Sequence, residues 1–238
     1  MGGAAEVQLR TLPMQVAGVV ARRIASGEFA DGLLPSEQQI SGEFVVSRAV
    51  AREALKVLAS LDMVEISQGR RVVVRGAAEW DYLNPLLLEW LPQDQIPNVL
   101  QELHDARLII EPGLAARAAR TAGPDDLERM RSELEGMAAT LDRPERFLEH
   151  DLQFHLEVCK ATRNRMLDRF MYASRWWQSA SRRITNRGPS ALPAALADHH
   201  QIYEAIEAGE PEQAERAMRD HLTRTAPLLD EAPVESRA

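Results

Sequence analysis

Cysteine is almost absent from this chain of 238 residues, where Cys159 stands alone. An internal disulfide is therefore impossible, and the composition fits a reducing cytoplasm in which the lone thiol is a small buried group on an apolar helix face. Long apolar runs are absent as well, none approaching the roughly 20 residues that a membrane helix needs. The opening "MGGAAEVQLR" has no basic-then-apolar pattern, so an exported protein is not expected and a cytoplasmic one is. No internal repeat or low-complexity tract occurs. The 45% apolar and 27% charged content is that of an ordinary globular chain, long enough for one large or two modest domains. Positive charge is scarce overall: the net charge is −8, which as a single number argues against nucleic acid. The deficit is uneven. Residues 1–76 carry nine Lys/Arg against eight Asp/Glu, and residues 77–238 carry nineteen against twenty-eight. The acidity belongs to the second part, and the first is free to hold a local basic face. Histidine is likewise missing from the first hundred residues; all six (104, 150, 155, 199, 200 and 221) follow them.

The first seventy-five residues read as three helices and a hairpin. Helix one covers about 14–27, with Val16, Val20 and Ile24 on one face and an end near Gly27. In "LPSEQQIS", Ser36 is a natural N-cap with Gln39 at the capping-box position, opening a short second helix. The third runs from about Ser47 to Leu61. "MVEIS" and "RVVVR", joined by "QGR", then read as two short strands. On the third helix Val50, Ala54, Val57, Leu58 and Leu61 form an apolar stripe, and Arg48, Arg52 and Lys56 lie nearly half a turn away. A helix with one dry and one basic side, entered by a tight turn from a short helix, is a helix-turn-helix arrangement. Its arginines suit phosphates or guanine edges in a major groove of double-stranded DNA. Gly69, Arg70 and Arg71 at the hairpin tip suit a wing that touches an adjacent groove.

Residues 77–92, "AAEWDYLNPLLLEWLP", read as a linker or interdomain helix in which Trp80, Tyr82 and Trp90 serve interdomain packing. From there on only helical patterns appear, with breaks near 121–126, 142–145, 186–190 and 208–211. The expected fold is mainly α: an N-terminal winged helix-turn-helix over 1–76, then an all-α antiparallel helical bundle over 93–230 and a flexible tail at 231–238.

"EHDLQFHLEV" places Asp151 and His155 one helical turn apart on one face. His199 lies about ten residues before the turn at Gly209–Pro211, and His221 about eleven after it. At about 1.5 Å per residue the two stand at one level on antiparallel helices. Asp151, His155, His199 and His221 make a nitrogen-and-oxygen set suited to Zn²⁺, or to Ni²⁺ or Mn²⁺. His200 rivals His199 but is turned about 100° from it, and His150 is a bystander.

"LPSEQQISGEFVVSRAVAREALKVL", with LPSE, VSR and REAL in order over residues 34–58, resembles the signature of the GntR family of bacterial transcription regulators. The chain has "DGL" where that family has Pro-Gly, and "QGRRVVV" where its wings have a Gly-Arg-Gly-Thr type. The resemblance implies operator contacts at Ser36, Ser47, Arg48, Arg52 and Gly69. Residues 100–225 are similar to the FCD effector domain of the FadR-type branch, whose metal-binding members carry Asp-x3-His on one helix and a histidine in each of the last two. That likeness selects His199 over His200. It also implies a carboxylate-bearing effector beside the metal, held by Arg107 and Asn164. Read on its own, Arg107 is equally an ion-pair partner of Glu111. Trp176, Trp177, Arg182 and Arg183 border the cavity or serve a dimer contact.

The expectation is a homodimeric repressor of a metabolic operon that binds a palindromic operator and senses a small organic or sugar acid through a metal. The alternative is a metal-dependent enzyme acting on a small carboxylic acid, against which stands the lack of a poised general base or nucleophile. A third reading has the bundle serve dimerisation alone.

Overall fold

The computed structural model describes residues 10–185 and 191–225. The break expected at 186–190 and the tail at 231–238 lie outside the described residues. The chain divides into two compact units, Met1–Pro92 and Gln93–Ala238.

In the first unit α1 is Leu12–Ala25, α2 Glu37–Glu43 and α3 Arg48–Ser60. Each boundary has a local cause. Pro13 sits in the first turn of α1, where its missing N–H costs nothing. Ser36 caps α2 in a complete capping box with Gln39, and Ser47 Oγ accepts from Val50 N to cap α3. The α2–α3 turn is tight enough to hold Val45 at φ 53, a left-handed conformation that a β-branched residue seldom adopts. Strands β1 (Val64–Glu65) and β2 (Val73–Val74) pair antiparallel with Val64 opposite Val74, and Leu33 bridges to Val73 on the other side. The wing is thus anchored by the loop before α2 as well as by its own hairpin, and Gly69 at its tip takes φ 71.

α3 buries Ala51, Ala54, Leu55 and Leu58 against Val16, Val20 and Ile24 of α1. This stripe is turned about one residue from the one expected, leaving Val50 and Val57 half-buried at its flank. Both sets satisfy the same i, i+3, i+4, i+7 spacing, and the small Ala51 allows the closer approach to α1. α4 (Pro85–Trp90) returns to α1 in the same unit. Trp90 is fully buried there against Gly18, where an added Cβ would stand 3.0 Å from the indole nitrogen. Trp90 is therefore core of the first unit, in place of the interdomain packing expected of it.

The second unit is helical throughout its described residues: α5 (Ile96–Thr121), α6 (Pro124–Ala138), α7 (Pro144–Ala161), α8 (Arg165–Ala173), α9 (Arg175–Thr185), α10 (Ala191–Glu207) and α11 (Pro211–Thr225). Prolines open α6, α7 and α11, and Gly209 at φ 68 turns the chain between α10 and α11. α11 lies along α5 and α10, and α6 lies along α7. Their shared core includes Met130, Leu134, Phe147, Phe154, Ile202 and Leu222. The start of α6 is tied down by one buried carboxylate. Asp126 accepts from Gly123 N at 2.9 Å and from Arg163 Nη2 at 2.5 Å, and it also pairs with Arg129. Cys159 is buried, and burial pushes its thiol up to about 12, so it stays a protonated packing group.

Candidate nucleic-acid interface and metal centre

The basic face of α3 is open to solvent: Arg48, Arg52 and Lys56 are all exposed. Arg52 does not hang free. Its Nε and Nη2 donate to the Glu37 carboxylate of α2 at 3.0 and 3.1 Å, and that bond is the main reason the Glu37 pKa falls below its ordinary value. A carboxylate two-pronged against a guanidinium fixes its plane and direction. Glu37 therefore aims Arg52, a role that spacing along α3 alone does not reveal. Lys56 pairs with Glu53 at 2.8 Å. Ser36 and Ser47 spend their hydroxyls as helix caps, so they set where α2 and α3 begin. Arg70 is exposed beside Gly69 at the wing tip.

In the second unit α7, α10 and α11 bring three histidines to one point. One donor nitrogen each of His155, His199 and His221 lies within 4.8 Å of the others, and all three side chains are buried. The ring centroids of His199 and His221 are 4.5 Å apart, so the level-matching along the α10–α11 hairpin places them as the spacing implies. His200, one residue on, is exposed, and His150 is taken by Glu133 at 2.7 Å.

The outer nitrogen of each ring faces an acceptor. His199 Nδ1 donates to the Ala195 carbonyl at 2.6 Å. His155 Nδ1 lies 2.7 Å from Glu111 Oε2, and His221 Nδ1 lies 3.3 Å from Asp198 Oδ2. The His155–Glu111 approach is close but outside hydrogen-bond geometry; with the proton on Nδ1 of His155 and His199, each Nε2 keeps a lone pair facing the other ring. His155 Nε2 and His199 Nε2 stand 3.1 Å apart. Burial pushes the His155 pKa down to about 4 and that of His199 down to about 3, so both rings are neutral near pH 7. Two lone pairs at that separation repel unless a proton or a metal cation lies between them. Asp151 Oδ1 is 3.8 Å from both nitrogens. Burial works against the ionised Asp151, but the adjacent Arg182 guanidinium reverses this and holds its pKa below the ordinary carboxylate range. Three imidazoles and an ionised carboxylate, with the outer nitrogens of His199 and His221 already bonded, form a donor set that suits a divalent transition-metal ion.

Beside the histidines is a small cavity of about 10 Å³ lined by Arg107, Asp151, Arg182, Thr185, His221 and Thr225. That is room for about one water molecule, so a larger ligand is admitted only when the lining side chains move. Arg107 lines it and also donates to Glu111 Oε1 at 2.7 Å. The ion pair weighed for Arg107 is present, and it is buried, not on the surface. Asn164 is placed differently. Its side-chain oxygen accepts from Met166 N at 3.0 Å to cap α8, and it is not among the residues lining the cavity. Sequence reasoning named Glu111 only as a partner of Arg107, passed over Asp198, and left Arg182 between a cavity and a dimer role; Glu111 and Asp198 sit behind His155 and His221. Trp177 is buried and Trp176 half exposed, and Arg183 pairs with Glu145 at 3.0 Å on the surface.

Two family models match the chain. Residues 13–74 match the bacterial regulatory proteins of the gntR family, and residues 102–224 match the FCD domain. Among curated proteins, the galactonate operon transcriptional repressor of Escherichia coli is 29% identical over 201 residues, 83% of this chain and 88% of the relative. The HTH-type transcriptional regulator LutR of Bacillus subtilis is 29% identical over 212 residues, 87% of this chain and 95% of the relative. The HTH-type transcriptional repressor NanR of Cronobacter sakazakii is 30% identical over 207 residues, 82% of this chain and 76% of the relative. The solved structure of Lar, which controls expression of the Listeria monocytogenes agr system, aligns over 95% of this chain and all of its own. Its TM-score is 0.60 at 17% identity, a likeness of fold.

Proposed function

The chain belongs to the GntR family of bacterial regulatory proteins, with an FCD domain as its second unit, and from that premise we propose that it is a metal-dependent acid sensor. It is a ligand-responsive DNA-binding transcriptional regulator, and its relatives are regulators, not enzymes. The finer reading is that His155, His199, His221 and Asp151 hold one divalent ion, zinc before nickel or manganese. The observation that carries it is the convergence of three buried imidazoles, two with their Nε2 atoms 3.1 Å apart, on an ionised carboxylate. Such an ion supplies Lewis acidity and positive charge to an oxygen ligand in the adjoining cavity. Arg107 provides the cationic wall, and Thr185 and Thr225 provide hydroxyl partners. Carboxylate plus hydroxyl recognition in a small cavity suits a sugar acid or a short hydroxy acid, and the first relative's name places a galactonate operon under its control.

On the DNA side, Arg48, Arg52 and Lys56 of α3 read a major groove, and Gly69 with Arg70 places the wing. Ser36 and Ser47 act as caps that set the reading helix. A homodimer with two such units addresses a palindromic operator and represses the operon until the acid binds. The acid lowers operator affinity by the same free energy with which DNA lowers acid affinity. Fluorescence anisotropy on DNA from upstream of the protein's own gene tests this reading, with sugar acids and short hydroxy acids added with and without a chelator. Release by at least one acid, abolished by the chelator, is expected. Retention of DNA under every acid, or release that ignores the chelator, would contradict the proposal.

A further inference from the structure

Arg182 presents a puzzle that the metal-sensing reading alone does not resolve. Its side chain is 3% exposed, and its Nε donates to Asp151 Oδ1. That is the same oxygen atom that lies 3.8 Å from His155 Nε2 and from His199 Nε2. One oxygen thus faces both the guanidinium and the point where the three imidazoles converge. The rest of the guanidinium is poorly served: Nη1 reaches the Gln178 carbonyl and Gln178 Oε1 only at 3.4 and 3.3 Å. Nη2 is buried with no hydrogen-bond partner. Buried charged donors are nearly always satisfied, so an orphaned N–H on a cavity wall marks a place for an acceptor.

Charge balance points the same way. Around the cavity Arg107 is matched by Glu111 and Arg182 by Asp151, and imidazoles that ligate a cation are neutral. A divalent ion on the histidines and Asp151 would leave this buried cluster with two uncompensated positive charges, which attract an anion. We infer that Arg182 is a conditional anchor: it occupies Asp151 Oδ1 while the metal is away, and turns to the effector carboxylate once a cation has taken that oxygen. Metal and acid then bind with positive coupling through one side chain. The competing role is a fixed support that keeps holding Asp151 while it ligates, and it predicts the opposite effect on metal affinity.

The inference rests on the metal reading above, and zinc titration of the chelator-stripped full-length protein against a chromophoric competitor separates the two. Arg182→Gln removes the rival for Asp151, so zinc binds about 10-fold tighter than to the wild type, with Arg182→Lys between them. Unchanged or weaker zinc binding by both variants overturns the inference, because a supporting partner is worth about 10–100-fold in the other direction. A wild type that binds no zinc overturns the metal reading, and the inference falls with it. Acetate, as a simple carboxylate, tightens zinc binding to the wild type by about fivefold and leaves Arg182→Gln unaffected; no tightening in the wild type overturns the anion half. Should the variants fail to fold, a zinc-loaded wild-type crystal structure decides. Arg182 Nε beyond about 4 Å from Asp151 Oδ1 is the expected result. A retained hydrogen bond to a zinc-bound Asp151 overturns the inference.

Discussion

Mild acid should unfold the metal-free protein by charging two rings that the fold keeps neutral. His155 and His199 are buried, and burial pushes their pKa values from 6.5 to about 4 and about 3. The unfolded chain takes up protons on both rings as pH falls below 6.5, while the folded chain does not until about 4. Stability contributed by the neutral rings is therefore full above pH 6.5 and is lost progressively as pH falls toward those depressed values. Between pH 6.5 and 5 each ring forfeits about 2 kcal/mol, at about 1.4 kcal/mol per unit. Two rings give about 4 kcal/mol, and with a urea slope of about 2 kcal/mol/M the midpoint moves down by about 2 M. Asp151 and Glu111 stay ionised across this window in both states, so they add little. His104, whose pKa burial also lowers, adds in the same direction. The assay is urea unfolding of chelator-treated protein followed by circular dichroism at pH 7.5 and 5.0, for the wild type and for His155→Gln/His199→Gln. The double variant keeps only the His104 share of the slope. A wild-type midpoint that ignores pH, or a variant with the full wild-type slope, would refute the account of the buried rings.

Three further outcomes follow from particular contacts. Replacing Arg48 and Arg52 together by alanine should weaken operator binding at least about 30-fold by anisotropy, since each guanine-type contact is worth about 1–3 kcal/mol; unchanged affinity would remove α3 as the reading helix. Val45→Gly should stabilise the first unit by about 1 kcal/mol in thermal melts, because Val45 is 90% exposed at φ 53 and loses no packing. A lower melting temperature would show that the turn is not strained there. Asp126→Asn should cost about 1–2 kcal/mol by stripping the half-exposed Arg163 and Arg129 of their shared carboxylate, and a melting curve like the wild type's would contradict that.

The parts of the molecule legible in the sequence are those set by local rules. Ser36–Gln39 and Ser47 mark helix starts because a cap is written within four residues. The His199–His221 match is legible because a short hairpin of known rise leaves one register. What could not be read depends on contacts between elements far apart in the chain. Glu111 and His155 are 44 positions apart yet stand 2.7 Å from each other, and nothing along α5 marks Glu111 as the group behind a histidine of α7. Arg182 sits next to Arg183 in sequence, but one is buried on Asp151 and the other exposed on Glu145. The burial of α3 turned one residue from the expected stripe because an alanine-rich amphipathic helix offers two nearly equal faces. Asn164 has a second, local role that the family pattern did not signal: its side-chain oxygen caps α8.

The central claim is that three histidines and Asp151 hold a divalent ion in the second unit. Metal analysis of the purified full-length protein, with X-ray absorption at the metal edge, tests it most directly. The account predicts one ion per chain with three nitrogen neighbours, lost when His155, His199 and His221 are replaced by alanine and kept when His150 and His200 are. Protein free of metal after zinc loading, or an ion that survives the triple replacement, would contradict it.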